Sequence, residues 1–332
     1  MIRSLSKYIK SYLFFYVFFL DKVVECDIIN IKLFNKTLNN ENKLLNNKMC
    51  IKIYRRRKMT KIYTTNIKKG GVGKTTITFN GAFYLAVKKN KRVLLIDLDD
   101  SCNLTKRFID YYEEPIPEIS TVKALFSDVV PVPLRLTDHL SIIAGYDHLN
   151  ELTKEVEAGK GRGRGYLLSW YYSQLDFIEA NYDYILIDTH NDFSIFTNNA
   201  IAVSDVVLAI ADIDEDAIEK LKLEERQIAQ LTKDFINPMT NQSFVNTRLI
   251  KVGNKVVKNT SDSQAFKRAF EAMMKRDNQF LGYFEGRSLF GKTKTTRQPL
   301  TSLEESHQTP SYRQFFKNTW ELFDKIYTLP IE

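Results

Sequence analysis

A chain of 332 residues with 44% hydrophobic and 12% aromatic content can bury one large α/β core, or at most two modest ones, and its 27% of charged residues argues against a wholly disordered or membrane-bulk protein. The formal charge of +8 is concentrated: residues 1–58 carry 13 Lys and Arg against 4 Asp and Glu, which leaves 35 basic and 36 acidic residues for a nearly neutral remainder. Overall basicity is therefore no argument for nucleic-acid binding, and the unpaired spacing of Cys26, Cys50 and Cys102, with no metal-ligand spacing to the four histidines, suggests neither disulfides nor zinc.

The first 58 residues open with Arg3, Lys7 and Lys10 and an apolar run from Tyr12 to Leu20. That run ends at Asp21 and Lys22 without a small-residue cleavage pattern and falls short of the roughly 20 apolar residues of a membrane span. From Asp27 to Tyr54 the chain is dominated by Asn, Lys, Ile and Leu without a sustained period, and Arg55, Arg56, Arg57 and Lys58 stand directly before Met59. The expectation is a disordered or mis-annotated extension over 1–58, with Met59 as the physiological start and one domain over 59–332. A disordered basic tail and an interfacial anchor are the alternatives.

Lys61 to Asn66 reads as a short strand, and Thr75 to Lys88 as a helix with Ile77, Ala82, Leu85 and Ala86 available for burial. Between them lies Lys69-Gly70-Gly71-Val72-Gly73-Lys74-Thr75-Thr76. Glycines let such a loop bend until successive N–H groups point inward at a phosphate chain, and the helix N-terminus adds its positive dipole end. Lys74 then supplies a point charge to the β- and γ-phosphates and the Thr75 hydroxyl a ligand for Mg²⁺.

Val93 to Ile96 is a continuous apolar run, as expected of a buried parallel strand, and it leads into Asp97-Leu98-Asp99. Carboxylates at a strand's C-terminal end sit in the crevice where open α/β sheets bind ligands. A third run, Tyr184 to Ile187, ends at Asp188, whose carboxylate is expected to hold a water on Mg²⁺. His190 in the following Thr-His-Asn-Asp is read as a loop histidine beside the site. Val206 to Ile210 and Leu249 to Val252 are further strands, with a charged helix over Asp214 to Leu231 between them and Gly253-Asn254-Lys255 after them. Strands alternating with helices of this length predict a doubly wound, mostly parallel sheet with helices on both faces.

The loop KGGVGKTT resembles the deviant Walker A motif of the ParA/MinD family of P-loop ATPases, and RVLLIDLDDSCNLT is similar to that family's second phosphate-site motif. The resemblance covers roughly Met59 to Tyr327, with Leu281 to Leu303 similar to the family's closing strand, nucleotide-edge loop and helix. It implies that Lys69 reaches across a nucleotide-sandwich dimer to the partner's ATP, that Asp97 supports the Mg²⁺ shell, that Asp99 orients the attacking water and that Asn254 contacts the adenine. The sequence departs from the pattern at Asp100-Ser101, where Pro-Gln is usual, and at His190-Asn191, where the family has Pro-Pro. Tyr111 to Pro133 and Glu155 to Tyr166 match nothing in it, and the second stretch holds the basic run from Gly159 to Gly165.

Surface chemistry must then discriminate among relatives. Residues 251–300 hold 11 Lys and Arg against 4 Asp and Glu, and on the predicted helix Ser261 to Lys275 an apolar face of Phe266, Phe270 and Met273 opposes Lys267, Arg268, Lys275 and Arg276. Such a face suits nonspecific contact with DNA phosphates. The chain closes on Phe315, Phe316, Trp320, Phe323 and Ile326 interleaved with acids, a helix for packing on the domain rather than a basic membrane-binding one. The resemblance points to a short, ParA-type DNA-segregation ATPase, cytoplasmic and nucleoid-associated, without stable membrane association. It would use ATP and Mg²⁺, dimerise on ATP, and answer to a ParB-like centromere-binding adaptor. A MinD-like positioning ATPase at a membrane and a non-hydrolysing regulatory switch are the alternatives.

Overall fold

In a computed structural model, residues 60–109, 115–127, 129–157, 165–214, 216–237 and 240–330 are described. The expectations for residues 1–58, for a start at Met59 and for the basic run from Gly159 to Arg164 lie outside them. The chain divides into two units, Met1–Met59 with Asn237–Phe244, and Thr60–Ile236 with Val245–Glu332. In the smaller, the Asn237 amide donates to the Gln242 carbonyl at 2.8 Å and closes a turn. The larger carries the sheet.

Among the described residues eight strands follow the apolar runs: β1 (Lys61–Asn66), β2 (Val93–Leu98), β3 (Leu134–Arg135), β4 (Leu140–Ile143), β5 (Tyr184–Thr189), β6 (Val206–Ala211), β7 (Arg248–Val256) and β8 (Phe280–Glu285). They lie in the order β3-β4-β2-β5-β1-β6-β7-β8, parallel throughout except at the β3–β4 edge. Every residue of β2, β5 and β6 is buried, the mark of strands covered on both faces. The principal helices are α1 (Lys74–Phe83), α2 (Ile195–Val203), α3 (Ala217–Asp234), α4 (Ser261–Met274), α5 (Ser288–Thr295) and α6 (Pro310–Tyr327).

Adjacent residues of β1 show which helix covers which face. Thr64 Oγ1 reaches the Ala200 carbonyl of α2 at 3.2 Å, whereas Thr65 Oγ1 accepts from Thr78 of α1 at 2.9 Å. Neighbouring strand residues point to opposite faces, so α1 and α2 lie on opposite sides of the sheet. Tyr63, on the Thr65 side, donates to the Ile326 carbonyl of α6 at 3.2 Å, which places α6 beside α1. The doubly wound arrangement expected from the alternating elements is the one observed.

The aromatic stripe of α6 is core, as expected: Phe315, Phe316, Phe323 and Ile326 are buried, with Phe323 4.9 Å from Phe284 of β8. The helix expected over Thr75 to Lys88 continues past α1 as a π-helical turn, Tyr84–Lys88. The wider turn seats the Tyr84 ring against Trp320 and Phe323 while Leu85 and Ala86 stay buried. The helix expected from Asp214 starts instead at Ala217, because the carboxylates of Asp214 and Asp216 are drawn into ion pairs described below.

Candidate nucleotide site

The phosphate loop joins β1 to α1 with positive φ at Gly71 (74°) and Gly73 (104°), the region that favours glycine. Gly73 is required twice over. Asn254 Nδ2 donates to the Val72 carbonyl at 2.7 Å and would lie 2.5 Å from a Cβ at position 73. Asn254 belongs to β7, which runs on to Val256, and is buried against the loop, so the expected residue after the strand is instead a strut beneath Val72. The first turn of α1 has no side-chain cap, which leaves the amides at its N-terminus to an anion.

Both lysines of the loop are held within the chain. Lys74 is buried, and its Nζ donates to the Lys69 carbonyl at 3.2 Å. Burial lowers its pKa, against the fields of Asp188, Asp99 and Glu224. Lys69 differs from the expectation of a side chain free to cross to a partner: its Nζ lies 3.2, 2.6 and 2.5 Å from carboxylate oxygens of Asp212, Asp214 and Asp216. Burial opposes its charge, but hydrogen bonds to the three carboxylates more than offset this and raise its pKa.

Asp97 and Asp188 do not project beyond the strand tips. They stand inside β2 and β5, in register with each other and fully buried. Asp97 Oδ2 accepts from both the amide and the hydroxyl of Thr105, at 2.8 and 2.7 Å, so this carboxylate anchors the loop that follows β2. Burial pushes Asp97 up to about 6, against the Thr105 hydrogen bonds and with the field of Asp99 adding to it, and pushes Asp188 up to about 8, with the field of Asp97 adding to it. Asp188 Oδ1 accepts from Thr78 at 3.4 Å, the nearby Thr75 hydroxyl favours the charged form of the carboxylate, and Oδ2 is buried with no hydrogen-bond partner. An orphaned carboxylate oxygen beside a second buried acid and a threonine hydroxyl fits a hard dication such as Mg²⁺.

Asp99 lies at the mouth of this cleft, its Oδ1 accepting from the Ser101 amide at 2.9 Å and from the Ser101 hydroxyl. The two departures from the family pattern meet beside it. His190 Nε2 is 3.9 Å from Asp100 Oδ1, and one ligating atom each of Asp99, Asp100 and His190 fall within 4.8 Å of one another. His190 Nδ1 lies 3.2 Å from Asp192 Oδ2, an arrangement that orients the ring.

Glu224 of α3 was not legible as part of the site, because it sits in a charged run that reads as a solvated helix face. It is fully buried, accepts from Asn66 Nδ2 at 2.7 Å, and has a second oxygen without a partner. Asn66 in turn accepts from Thr189 at 2.8 Å, so the glutamate backs the root of the phosphate loop and the strand of Asp188. Burial pushes its pKa up to about 7. A folded-state value above the unfolded one means that the folded protein loses stability as pH rises from about 4.3 through about 7. Glu224→Gln should therefore raise the melting temperature at pH 8 by the equivalent of about 1–3 kcal/mol and leave it little changed at pH 5, read by thermal unfolding across that range.

A family model described as an AAA domain (AAA_31) matches residues 59–244, more than half of the chain. The chain belongs to the ParA-type P-loop ATPase family. This ParA-type chain is 31% identical to the chromosome partitioning protein ParA of Caulobacter vibrioides over 181 residues, 52% of this chain and 62% of that protein. The fold is shared with a plasmid partition protein from Borrelia burgdorferi (TM-score 0.56, 22% identity, 81% of this chain and 98% of that one). It is shared too with a single-residue variant of Cyanothece McdA in complex with ATP (TM-score 0.61, 16% identity, 82% and 98%). The ParA-type chain spans 58 to 66% of the length of the curated relatives it matches.

Proposed function

We propose that this protein hydrolyses Mg·ATP to drive DNA partition. The observation that carries the reading is the convergence of the uncapped, glycine-bent loop and its buried Lys74 on the orphaned oxygen of Asp188. Loop amides and Lys74 hold the phosphates and Asp99 orients the attacking water; the Thr75 hydroxyl and Asp188 would hold Mg²⁺, which would supply charge neutralisation to the phosphoryl group. Asp97 keeps the Asp99 loop in place through Thr105, and Asn254 sets the loop from below. Lys69 leaves its three aspartates to meet the nucleotide of a second protomer, so ATP-driven dimerisation is coupled to breaking those ion pairs. A centromere-bound, ParB-like adaptor stimulates slow intrinsic turnover, and the protein works on the nucleoid in the cytoplasm.

The DNA-contacting part of the reading rests on α4 and its surroundings. Phe266 and Phe270 are buried while Arg268, Lys275 and Arg276 are exposed, with Lys292 and Lys294 exposed on α5. Lys267 contributes less than its sequence position suggested, since it lies 3.8 Å from Glu271 and over the Tyr283 ring. Two protomers presenting three or more free cations each are expected to bind DNA only with ATP, without sequence preference. Affinity should fall about a thousandfold between about 50 and 200 mM salt. Fluorescence anisotropy on unrelated duplexes measures this; retention that ignores ATP or salt removes the DNA role and leaves the nucleotide site standing.

A further inference from the structure

Arg107 lies outside every recognised motif. It closes the short turn Thr105–Arg107 that follows the Asp99 loop, and its side chain is buried, 7% exposed. One guanidinium nitrogen donates to Thr76 Oγ1 of the phosphate loop at 2.9 Å, another reaches Thr293 Oγ1 of α5 at 3.5 Å, and the group sits 4.9 Å from the centroid of Phe79. Among the described residues it forms no ion pair; the carboxylate whose field reaches it is Asp188, whose Oδ2 is buried without a hydrogen-bond partner. Buried arginines are ordinarily matched by acids, because an unmatched charge in a protein interior is expensive to hold. Here both partners are neutral hydroxyls, and the nearer one belongs to the phosphate-binding loop.

We propose that Arg107 is a positioning residue for the polyphosphate of a nucleoside di- or triphosphate, acting through Thr76; this rests on the phosphate-loop reading above. A threonine oxygen that accepts from a guanidinium has its own hydrogen left to donate, so Arg107 sets Thr76 as a donor toward the phosphates. The same contact carries a permanent positive charge to the rear of the loop, where the phosphates supply the missing counter-charge. Because Arg107 also follows directly on the loop anchored by Asp97, it ties the carriage of Asp99 to the occupancy of the phosphate site.

Arg107→Met removes charge and fork while keeping bulk. The nucleotide-free variant should melt at or above the wild-type temperature, since an unmatched buried charge has gone, while affinity for both Mg·ADP and Mg·ATP falls about tenfold. Thr76→Val should lose a similar factor, and the double variant should lose little more than either single one, the signature of one shared path. Arg107→Lys should recover part of the loss. Calorimetric titration and thermal unfolding read all of these, and Thr76→Val carries the test if Arg107→Met does not fold. A nucleotide-free melting temperature lowered by several degrees with unchanged affinity overturns the proposal in favour of a purely structural arginine, as do losses that add in the double variant. Failure of the wild type to bind either nucleotide removes the phosphate-site reading itself.

Discussion

Lys74→Ala is expected to leave a folded chain that no longer takes up Mg·ATP, with affinity reduced by about a hundredfold or more. The magnitude follows from where the ammonium sits. It is buried at the start of α1, donates to the Lys69 carbonyl at 3.2 Å, and stands in the field of Asp188, Asp99 and Glu224. A triphosphate entering that pocket brings several negative charges toward three acids, and Lys74 is the loop's own counterweight. Truncating one partner of a buried charge pair removes about 2–5 kcal/mol, part of it the penalty of leaving the other charges unpaired. Lys69 offers no substitute in the single chain, because Asp212, Asp214 and Asp216 hold it. Calorimetric titration gives the affinity and far-ultraviolet circular dichroism the fold. Binding within about threefold of wild type would mean that the triphosphate lies elsewhere.

The parts of this site that the sequence made legible are those whose chemistry is local. A glycine-lysine loop between a strand and a helix is written in eight consecutive residues, and continuous apolar runs ending in Asp97 and Asp188 announce buried parallel strands by themselves. What sequence could not show are partnerships that only the order of the sheet creates. Asn254 meets Val72 across 182 positions, and Lys69 meets Asp216 across 147. The first gives the residue expected at the adenine a contact beneath the phosphate loop, and the second holds the lysine expected to act in trans within a cis ion-pair cluster. Asp97 is similar in kind: beside the Mg²⁺-shell place its motif implies, its hydrogen bonds to Thr105 anchor the loop that follows, a contact no motif spells out. Glu224 stayed hidden because burial within a charged helical run leaves no periodic trace when only one acid of the run faces inward.

Asp99→Ala is expected to cut ATP hydrolysis by about a hundredfold or more while ATP affinity stays within about threefold, so that ATP-loaded dimers accumulate on DNA. The geometry gives Asp99 one oxygen fixed by Ser101 and places a carboxylate oxygen within 4.8 Å of ligating atoms of Asp100 and His190. A fixed carboxylate of this kind can orient a water for in-line attack, which is most of what phosphoryl transfer requires of a protein group. His190, steered by Asp192, is the competing candidate, since an imidazole with one nitrogen held by a carboxylate offers its other nitrogen as a base. The two are separable: phosphate release is measured for Asp99→Ala and His190→Ala side by side, with light scattering to follow the dimer. Loss in the aspartate variant alone supports the assignment to Asp99. Normal turnover in that variant, with loss in the histidine variant, transfers the role to the His190–Asp192 pair, and the Asp100 and His190 departures then become the working chemistry of this chain.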